Sequence, residues 1–382
     1  MDITLSEEQR LLRESVDRFV TETYTAACRR NAASEPLGFN PTIWKQFADL
    51  GWLAMPISEA YGGLGGGAIE TGILMEALGR GLATEPYLST VVIGASLIGL
   101  CGSDAQRQAL LPQIAEGALH LAFAHSERAA RFDLTRVDTS ARRTENGWRL
   151  DGSKIAVLDG GAAHRIIVSA RVGDADGRPG GLSLFLVPAG TAGLSLQDYP
   201  RLGGGRACNL DLSEVRLPAE ARLGDERDAL GQIEAVVDRA LAALGAEAVG
   251  ITQTLLDCTV DYTRMRQQFG RPLSANQVIR HRLADMAMNC DEARSAALRA
   301  ALLADAEPVA RGRAASGAKA KIGKCARFVA EQAVQLHGGM GVTEELDIGA
   351  YFKRLLAFDT LFGSSAHHTR RHAALGGRAM PS

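Results

Sequence analysis

The sequence predicts an α+β protein that is mainly α. A helical N-terminal domain, a middle antiparallel β-barrel or sandwich domain and a C-terminal four-helix bundle are expected over residues 1–118, 119–222 and 226–382. Two observations predict this order. The spacing of apolar residues changes from a helical period to alternation near residue 119, and it returns to a helical period near residue 226.

The N-terminal helices are predicted mainly from their start signals. Ser6 with Gln9, and Ser103 with Gln106, have the spacing of a capping box, in which each side chain satisfies the other residue's backbone N–H. Asn40 precedes a proline at the first position of another helix. The predicted helices cover residues 7–27, 41–50, 69–82, 86–100 and 105–116.

Short segments rich in valine, isoleucine and leucine predict the strands of the middle domain. Turn-forming sequences such as Asn146-Gly147 and Gly203-Gly204-Gly205 separate them. Because no helical segment lies between the strands, a small antiparallel barrel or sandwich is expected. The predicted strands cover residues 119–126, 148–157, 165–172, 182–187 and 209–215.

The C-terminal third has the longest helical pattern. Apolar residues three and four apart follow one helix face from Leu230 to Leu255. They predict a helix of about 38 residues over 227–264, a length typical of helix bundles. Two more helices are expected over 276–306 and 310–336, with a break at Glu307-Pro308.

Composition removes several classes of function. The formal net charge of −2 provides no basic surface for a nucleic-acid backbone, so nucleic acid is not an expected partner. No segment has the roughly 18 consecutive apolar residues of a membrane span, and the first residues do not resemble a secretion signal. The six cysteines show no C-x-x-C spacing, which favours reduced thiols and a cytoplasmic location.

Three local patterns suggest chemistry but favour simpler interpretations. The glycine-rich segment 62–67 lacks the ending and the βαβ context of a phosphate loop, so a helix–helix turn is expected. His368 and His372 have metal-ligand spacing, yet no third ligand is evident, and a solvated basic helix end is favoured. The segment His125-Ser126-Glu127 lacks a nucleophile elbow, so a hydrolase is not predicted.

Two segments in the last third resemble the flavin-binding C-terminal helices of acyl-CoA dehydrogenases. They are 262–272, YTRMRQQFGRP, and 335–341, QLHGGMG. Segments 215–218 with 223–224, and 283–286, resemble further family motifs in the expected order, so the resemblance covers essentially the whole chain. It implies α,β-dehydrogenation of an acyl-CoA thioester with FAD as cofactor, in which a carboxylate takes a proton and the flavin takes a hydride. An electron-transfer flavoprotein is the acceptor that the resemblance implies.

The resemblance also implies that each FAD is shared across a dimer interface. In the family, the middle domain of one subunit holds the isoalloxazine ring, and the neighbour's C-terminal helices hold the pyrophosphate and adenosine. The residues that hold this second part are present here. Arg266 matches the pyrophosphate arginine, and glycines in the second segment would let backbone N–H groups approach phosphate. The matching residues are Arg266, Gln268, Phe269, Gln277, Gln335, Gly338 and Gly339.

The residues that would hold the flavin ring depart from the family pattern. A Thr-Glu-Pro-Gly-x-Gly-Ser-Asp stretch is usual, but residues 126–133 here are SERAARFD, with Phe132 in place of the serine. A Trp-Ile-Thr stretch that contacts the flavin is matched by Ala156-Val157-Leu158. An aromatic face and a hydroxyl group have therefore both become aliphatic.

Both positions that the family uses for its catalytic glutamate also differ. Phe362 occupies the usual one, in Leu361-Phe362-Gly363-Ser364, and Ala240 occupies the other, followed by Leu241 where the family has arginine. Neither phenylalanine nor alanine can accept a proton. The carboxylates of Asp238, Glu247 and Asp359 are nearby in the sequence, but each is more consistent with a charge on a helix surface.

Three hypotheses follow. The leading one is a partner subunit of an α2β2 acyl-CoA dehydrogenase, which lacks the catalytic base and completes the FAD site of a homologous catalytic subunit. It resembles the small subunits that act on pimeloyl-CoA-like or steroid side-chain acyl-CoAs. The second is a homo-oligomeric dehydrogenase with a displaced base, Asp238 or Asp359. The third is a flavin-free structural or regulatory paralogue, which the retained Arg266 argues against.

Overall fold

Helices form both ends of the chain and strands form its middle, as the sequence predicts. The computed structural model describes residues 4–173, 179–224, 228–343 and 345–377. Its α-helices are α1 Glu7–Thr23, α2 Ala26–Ser34, α3 Pro41–Asp49, α4 Ala68–Gly81, α5 Ser96–Cys101, α6 Asp104–Ala115, α7 Leu230–Met265, α8 Gln277–Leu302, α9 Pro308–His337, α10 Ile348–Thr360 and α11 Ser365–Leu375. Its main strands are β1 Leu121–Ala124, β2 Ser140–Thr144, β3 Gly147–Leu158, β4 Arg165–Gly173, β5 Pro179–Pro188, β6 Leu194–Pro200 and β7 Arg206–Leu217.

The predicted caps start the N-terminal helices. Both capping boxes form, at Ser6 before α1 and at Ser103 before α6. The predicted end of the first helix at residue 27 is wrong, because the helix ends at Thr23. The hydroxyl of Thr25 then accepts a hydrogen bond from the Cys28 N–H at 3.2 Å, and this cap starts α2 in a new direction.

The predicted helix over 86–100 has two parts. Residues Tyr87–Ala95 form a π-helix, and α5 continues from it. The π-helix packs between α7 and β1, and it is buried along most of its length. It therefore places the 83–86 loop against the interior of the molecule.

The middle domain is one sheet in the order β1-β4-β2-β3-β7-β6, with β5 also paired to β4. Most pairs are antiparallel, but β1 and a short part of β2 run parallel to β4, which the sequence did not predict. Alternation of apolar residues does not specify strand direction, so this difference has a simple cause. The strands β2 and β6 were not predicted, because their side chains are mostly exposed and show little apolar alternation.

The C-terminal helices pack as a bundle around α7 and α9. The helix α7 has 36 residues and contacts α4, α8, α9 and α10. It starts at Leu230, and the predicted start at residue 227 lies outside the described residues. The predicted break holds, because Pro308 is the first residue of α9. No helix in the described ranges is long and apolar enough to span a membrane.

Candidate functional site

The seven predicted cofactor residues lie where the ends of α7 and α9 meet. The helix α7 ends at Met265, and Arg266 is its C-cap. Residues Gln267–Gln268 and Arg271–Pro272 then form a two-strand turn before α8. The ring of Tyr262 stacks on that of His337 at 4.3 Å, which joins the end of α7 to the end of α9. We call the following set the clamp surface: Arg266, Gln268, Phe269, Gln277, Gln335, Gly338 and Gly339.

Every residue of the clamp surface is exposed. The side chain of Phe269 is 100% exposed and has a φ of 54° in a tight turn with Gly270. Burial does not account for an aromatic residue in this position, because folding removes none of its surface from water. Within the described part of the chain, the Arg266 guanidinium has no hydrogen-bond or ion-pair partner. The clamp surface thus presents an unpaired cation next to a fully exposed ring.

The two glycines of the clamp surface have open space around them. A Cβ at Gly338 or Gly339 would meet no atom within 4 Å, although Gly338 has a φ of 60°. Gly339 has neither positive φ nor a close neighbour, so nothing within the described chain excludes a side chain there. Gly341 differs, because its Cβ would lie 2.8 Å from the Val334 carbonyl oxygen. An external group approaching the backbone is a physical reason for glycine at position 339.

These features fit the pyrophosphate and adenosine of FAD. A guanidinium group binds phosphate oxygens through paired hydrogen bonds, and exposed backbone N–H groups can bind the same oxygens. An exposed phenylalanine and glutamines offer a stacking face and amide donors. When bound, FAD supplies the hydride acceptor of the dehydrogenation.

Phe362 lies in the interior, not at an open pocket. Its side chain is partly buried and packs against the N-terminal and C-terminal helical cores. Its φ is 53°, which is uncommon for a bulky residue. Its carbonyl oxygen accepts a hydrogen bond from Nε2 of His368 at 2.9 Å. The expected position of the base is therefore occupied by packed aromatic and imidazole groups, and Ala240 at the second position is fully buried.

The prediction of a solvated helix end at His368 is wrong. The His368 side chain is buried, and its Nδ1 contacts the Ser316 hydroxyl at 3.3 Å. Burial lowers the pKa of His368 to about 3. His372 is partly exposed, and its Nδ1 lies 2.9 Å from the Arg313 carbonyl. Among the described residues, no group of three or more His, Cys, Asp or Glu side chains could hold a metal ion.

The prediction that Asp238 is a surface charge is also wrong. Its carboxylate is buried and forms ion pairs with Arg371 at 2.5 Å and Arg311 at 3.3 Å. Asp359 is partly buried and accepts hydrogen bonds from the backbone N–H and hydroxyl of Ser365. Both carboxylates are therefore already bound by donors within the chain.

Glu247 was predicted to be a surface charge and is instead part of a buried ion pair with Arg354. The guanidinium donates to the Glu247 carboxylate at 2.5 and 2.8 Å. It also donates to the carbonyls of Ala83, Gly203 and Gly204 at 3.2 to 3.4 Å. The turn chemistry at 203–205 explains this contact, because a Cβ at Gly203 would lie 2.6 Å from the Arg354 Cα.

More charged groups surround this pair. Asp159 accepts a hydrogen bond from the Ser89 hydroxyl at 2.6 Å, and burial raises its pKa, opposed by the charge of Arg201. Glu85 is buried and hydrogen-bonded to the Tyr24 hydroxyl, and burial raises its pKa. Together with Glu247, Arg354, Asp159 and Arg201, it lines a cavity of only about 30 Å³. We call this region, together with Phe362, the closed cleft.

The 126–133 segment, which the resemblance places at the flavin pocket, contributes an aromatic contact. The ring of Phe132 lies 5.4 Å from that of His367 at the start of α11. The Glu127 carboxylate holds the start of this segment in place. It accepts hydrogen bonds from the Asp138 and Thr139 backbone N–H groups at 2.6 and 3.0 Å. It also forms an ion pair with the buried Lys154 ammonium at 2.7 Å. Burial lowers the pKa of Lys154 to about 8.

Ala156 and Leu158, which were predicted to replace the flavin-contacting residues, remain aliphatic positions of β3. The charged residues Asp159, Arg201, Arg354 and Glu85 were not predicted from the sequence as parts of a site. Two of them lie close to glycine-rich turns, which is a signal in the sequence. Asp159 directly precedes Gly160-Gly161, and Arg201 lies two residues before Gly203-Gly204-Gly205. The glycine segment 62–67 is a turn, as predicted, with Gly62 at φ 80° and Gly65 at φ 68°.

Comparison with protein families gives three matches in chain order. The acyl-CoA dehydrogenase N-terminal domain matches residues 6–118, the middle domain matches 122–217 and the C-terminal domain matches 232–375. Solved structures of the same fold include a glutaryl-CoA dehydrogenase in complex with FADH2.

Individual relatives match along nearly the whole chain. A probable acyl-CoA dehydrogenase of Bacillus subtilis is 31% identical over 91% of this chain and 92% of its own. The Tcur3481-Tcur3483 steroid ACAD is 30% identical with a TM-score of 0.87, covering 98% of this chain and 99% of that one. The ChsE4-ChsE5 complex from Mycobacterium tuberculosis is 26% identical with a TM-score of 0.87, covering 100% of both chains.

Proposed function

This chain belongs to the acyl-CoA dehydrogenase family, and from that membership we propose that it is the partner subunit of a heteromeric, FAD-dependent enzyme. It would complete the flavin site of a homologous catalytic subunit, most simply in an α2β2 assembly. The observation that carries the proposal is the contrast between an open clamp surface and a closed cleft. The clamp surface is exposed and has an unpaired guanidinium, whereas the closed cleft has little free volume and no glutamate at either position that the family uses for its base.

In this mechanism the chain binds and orients FAD, and it transfers no proton. Arg266 would bind the pyrophosphate of FAD, with backbone N–H groups at Gly338 and Gly339 beside it. Gln268, Phe269, Gln277 and Gln335 would hold the rest of the adenosine part. The base and the ring-binding residues would come from the catalytic subunit.

The relatives support a heteromer and suggest a substrate class. One matched structure is a steroid ACAD named for two chains, and another is a complex of two named subunits. We therefore propose an acyl-CoA of the steroid side-chain or pimeloyl type as the substrate, and an electron-transfer flavoprotein as the acceptor. The domain boundaries at 118, 222 and 226 and the cytoplasmic location also remain parts of the proposal.

The two alternatives receive less support. The Asp238 carboxylate is buried and already paired with Arg311 and Arg371, so it does not face a substrate. Asp359 is hydrogen-bonded to Ser365. A flavin-free scaffold has no use for a fully exposed Phe269 beside an unpaired arginine.

Purification of the chain alone and with its catalytic homologue tests the proposal. The flavin content and the dehydrogenation of an acyl-CoA are measured in each preparation. We expect little flavin alone, about one FAD per αβ pair together, and activity only together. In the complex, Phe362→Ala should leave turnover largely unchanged. A flavin-loaded, active lone chain would favour the displaced base, and a complex whose flavin is unaffected by Arg266→Ala would favour the scaffold.

A further inference from the structure

The buried ion pair of Glu247 and Arg354 lies between two small cavities. One cavity, about 30 Å³, lies on the side of Asp159 and Arg201. The other, about 10 Å³, lies on the side of α10 and its end at Leu361. Glu247 and Arg354 line both cavities, as does Leu244. The ion pair is thus part of the wall of both cavities, and we call it the partition.

Apart from the ion pair, the smaller cavity is lined by apolar side chains. They are Leu244, Ala248, Ile251, Phe358 and Leu361. The larger cavity has apolar side chains from α4 and the π-helix, namely Met75, Leu78 and Leu88, and also the charged side chains of Glu85, Asp159 and Arg201. The apolar parts suit an aliphatic chain, which gains free energy by leaving water. Glu247 and Arg354, which line both cavities, do not.

The partition is rigid. The Arg354 side chain is 13% exposed and that of Glu247 is 9% exposed, and two hydrogen bonds join them. The remaining guanidinium donors bind carbonyls in the 83–85 loop and in the turn between β6 and β7. Three separate parts of the chain therefore hold one arginine in place.

We propose that the Glu247–Arg354 ion pair is a specificity-determining bar that excludes an aliphatic acyl chain from this subunit's own cleft. The inference rests on the proposed function and deepens it. An acyl chain that entered would have to separate two buried charges, and each would then lose its partner in a region of low polarity. The loss of the catalytic glutamate is therefore not the only block, and Phe362→Glu alone should not restore an acyl-CoA site.

Calorimetric titration of the full-length chain with hexanoyl-CoA and with CoA isolates the contribution of the acyl group. For the natural chain we expect no difference between the two affinities. For the Glu247→Ala/Arg354→Ala double variant we expect hexanoyl-CoA to bind at least tenfold more tightly than CoA. Glu247→Ala/Arg354→Leu is a second opening variant that retains more apolar packing, and it should show a smaller preference of the same sign.

Two control variants separate the effects of side-chain volume and charge on acyl binding from a general effect of a double substitution. Glu247→Leu/Arg354→Met keeps most of the volume and removes both charges, so it should fold and show an acyl preference smaller than that of the double alanine variant. Arg327→Ala/Glu331→Ala removes an exposed ion pair on α9 and should behave like the natural chain. Circular dichroism and thermal unfolding identify the folded variants.

An acyl preference in the natural chain would overturn the inference, because the bar would then not exclude an acyl group. Equal binding of both ligands to a folded opening variant would also overturn it. Neither result bears on the partner-subunit role, which the flavin content of the complex decides. Conversely, flavin and turnover in the lone chain would remove the proposed function, and with it the premise of this inference.

Discussion

The clamp surface lies in the C-terminal helical bundle, the closed cleft is lined by residues of all three domains, and the two regions differ in how their polar groups are satisfied. At the clamp surface, Arg266 has no partner among the described residues and Phe269 is fully exposed. In the closed cleft, Arg354 has two carboxylate contacts and three carbonyl contacts. Buried polar groups must be paired, whereas unpaired groups at a surface are available to a ligand. The difference indicates which of the two regions retains a binding role.

The largest expected effect comes from breaking the buried ion pair of the closed cleft. Glu247→Ala leaves the Arg354 guanidinium buried without its carboxylate, and we expect the free energy of unfolding to fall by about 3–5 kcal/mol. Urea denaturation of the lone chain measures this change. Arg266→Ala is the comparison and should alter stability by less than about 0.5 kcal/mol. Equal effects of the two substitutions would remove the distinction between the regions.

The next effect concerns FAD in the complex. Arg266→Ala should weaken FAD retention by about ten- to a hundredfold, because it removes a charged hydrogen-bond donor to phosphate. Flavin fluorescence after dilution or dialysis of the complex gives the affinity. Arg264→Ala is the matched control, since Arg264 is also exposed and lies two residues earlier. If both variants retain flavin equally, Arg266 is a surface charge without a cofactor role.

The pH dependence of stability tests the burial of His368, whose Nε2 donates a hydrogen bond to the Phe362 carbonyl in the closed cleft. Burial lowers the pKa of His368 from 6.5 to about 3. The unfolded chain therefore binds a proton between these values that the folded chain does not, so stability is full above pH 6.5 and falls as the pH drops. Between pH 6.5 and pH 3, this group lowers the free energy of unfolding by about 1.4 kcal/mol for each pH unit.

His368→Gln tests this effect, because glutamine can still donate to the Phe362 carbonyl and does not titrate. The unfolding free energies of the variant and of the natural chain are compared from pH 7 to pH 5. We expect a shallower decline in the variant. Parallel curves would mean that folding does not change the pKa of His368.

The smallest effect should come from Gly339→Ala. A Cβ at this position meets no atom within 4 Å, so the lone chain should unfold at the same denaturant concentration. In the complex, the added methyl group should lower FAD affinity several-fold, because it separates the backbone from phosphate. Gly341→Ala should instead destabilise the lone chain, since its Cβ would lie 2.8 Å from a carbonyl oxygen. An unchanged FAD affinity in Gly339→Ala would exclude close approach at that glycine.

Much of the fold could be predicted from the sequence because its signals are local. The capping residues Ser6 and Ser103 and the long apolar stripe of α7 specify helices without tertiary information. The strands β2 and β6 were missed because their side chains are mostly exposed. The parallel pairing of β1 with β4 was missed because alternation carries no direction.

The candidate site was predicted in part for a related reason. The clamp residues follow one another in two short segments, so a family resemblance could place them. The closed cleft joins residues far apart in the chain, such as Glu247 and Arg354, and a carboxylate on a helix looks the same in sequence whether it is exposed or buried. Asp238 and Glu247 were therefore taken for surface charges, and only their partners in three dimensions correct this.

The flavin content of the purified chain, alone and with its catalytic homologue, tests the partner-subunit role most directly. Absorbance of the released flavin gives the ratio of FAD to protein in each preparation, and a dye-linked assay gives turnover. The proposed function predicts little FAD and no turnover alone, and about one FAD per αβ pair with turnover together. One FAD per chain together with dehydrogenation by the lone chain would contradict it.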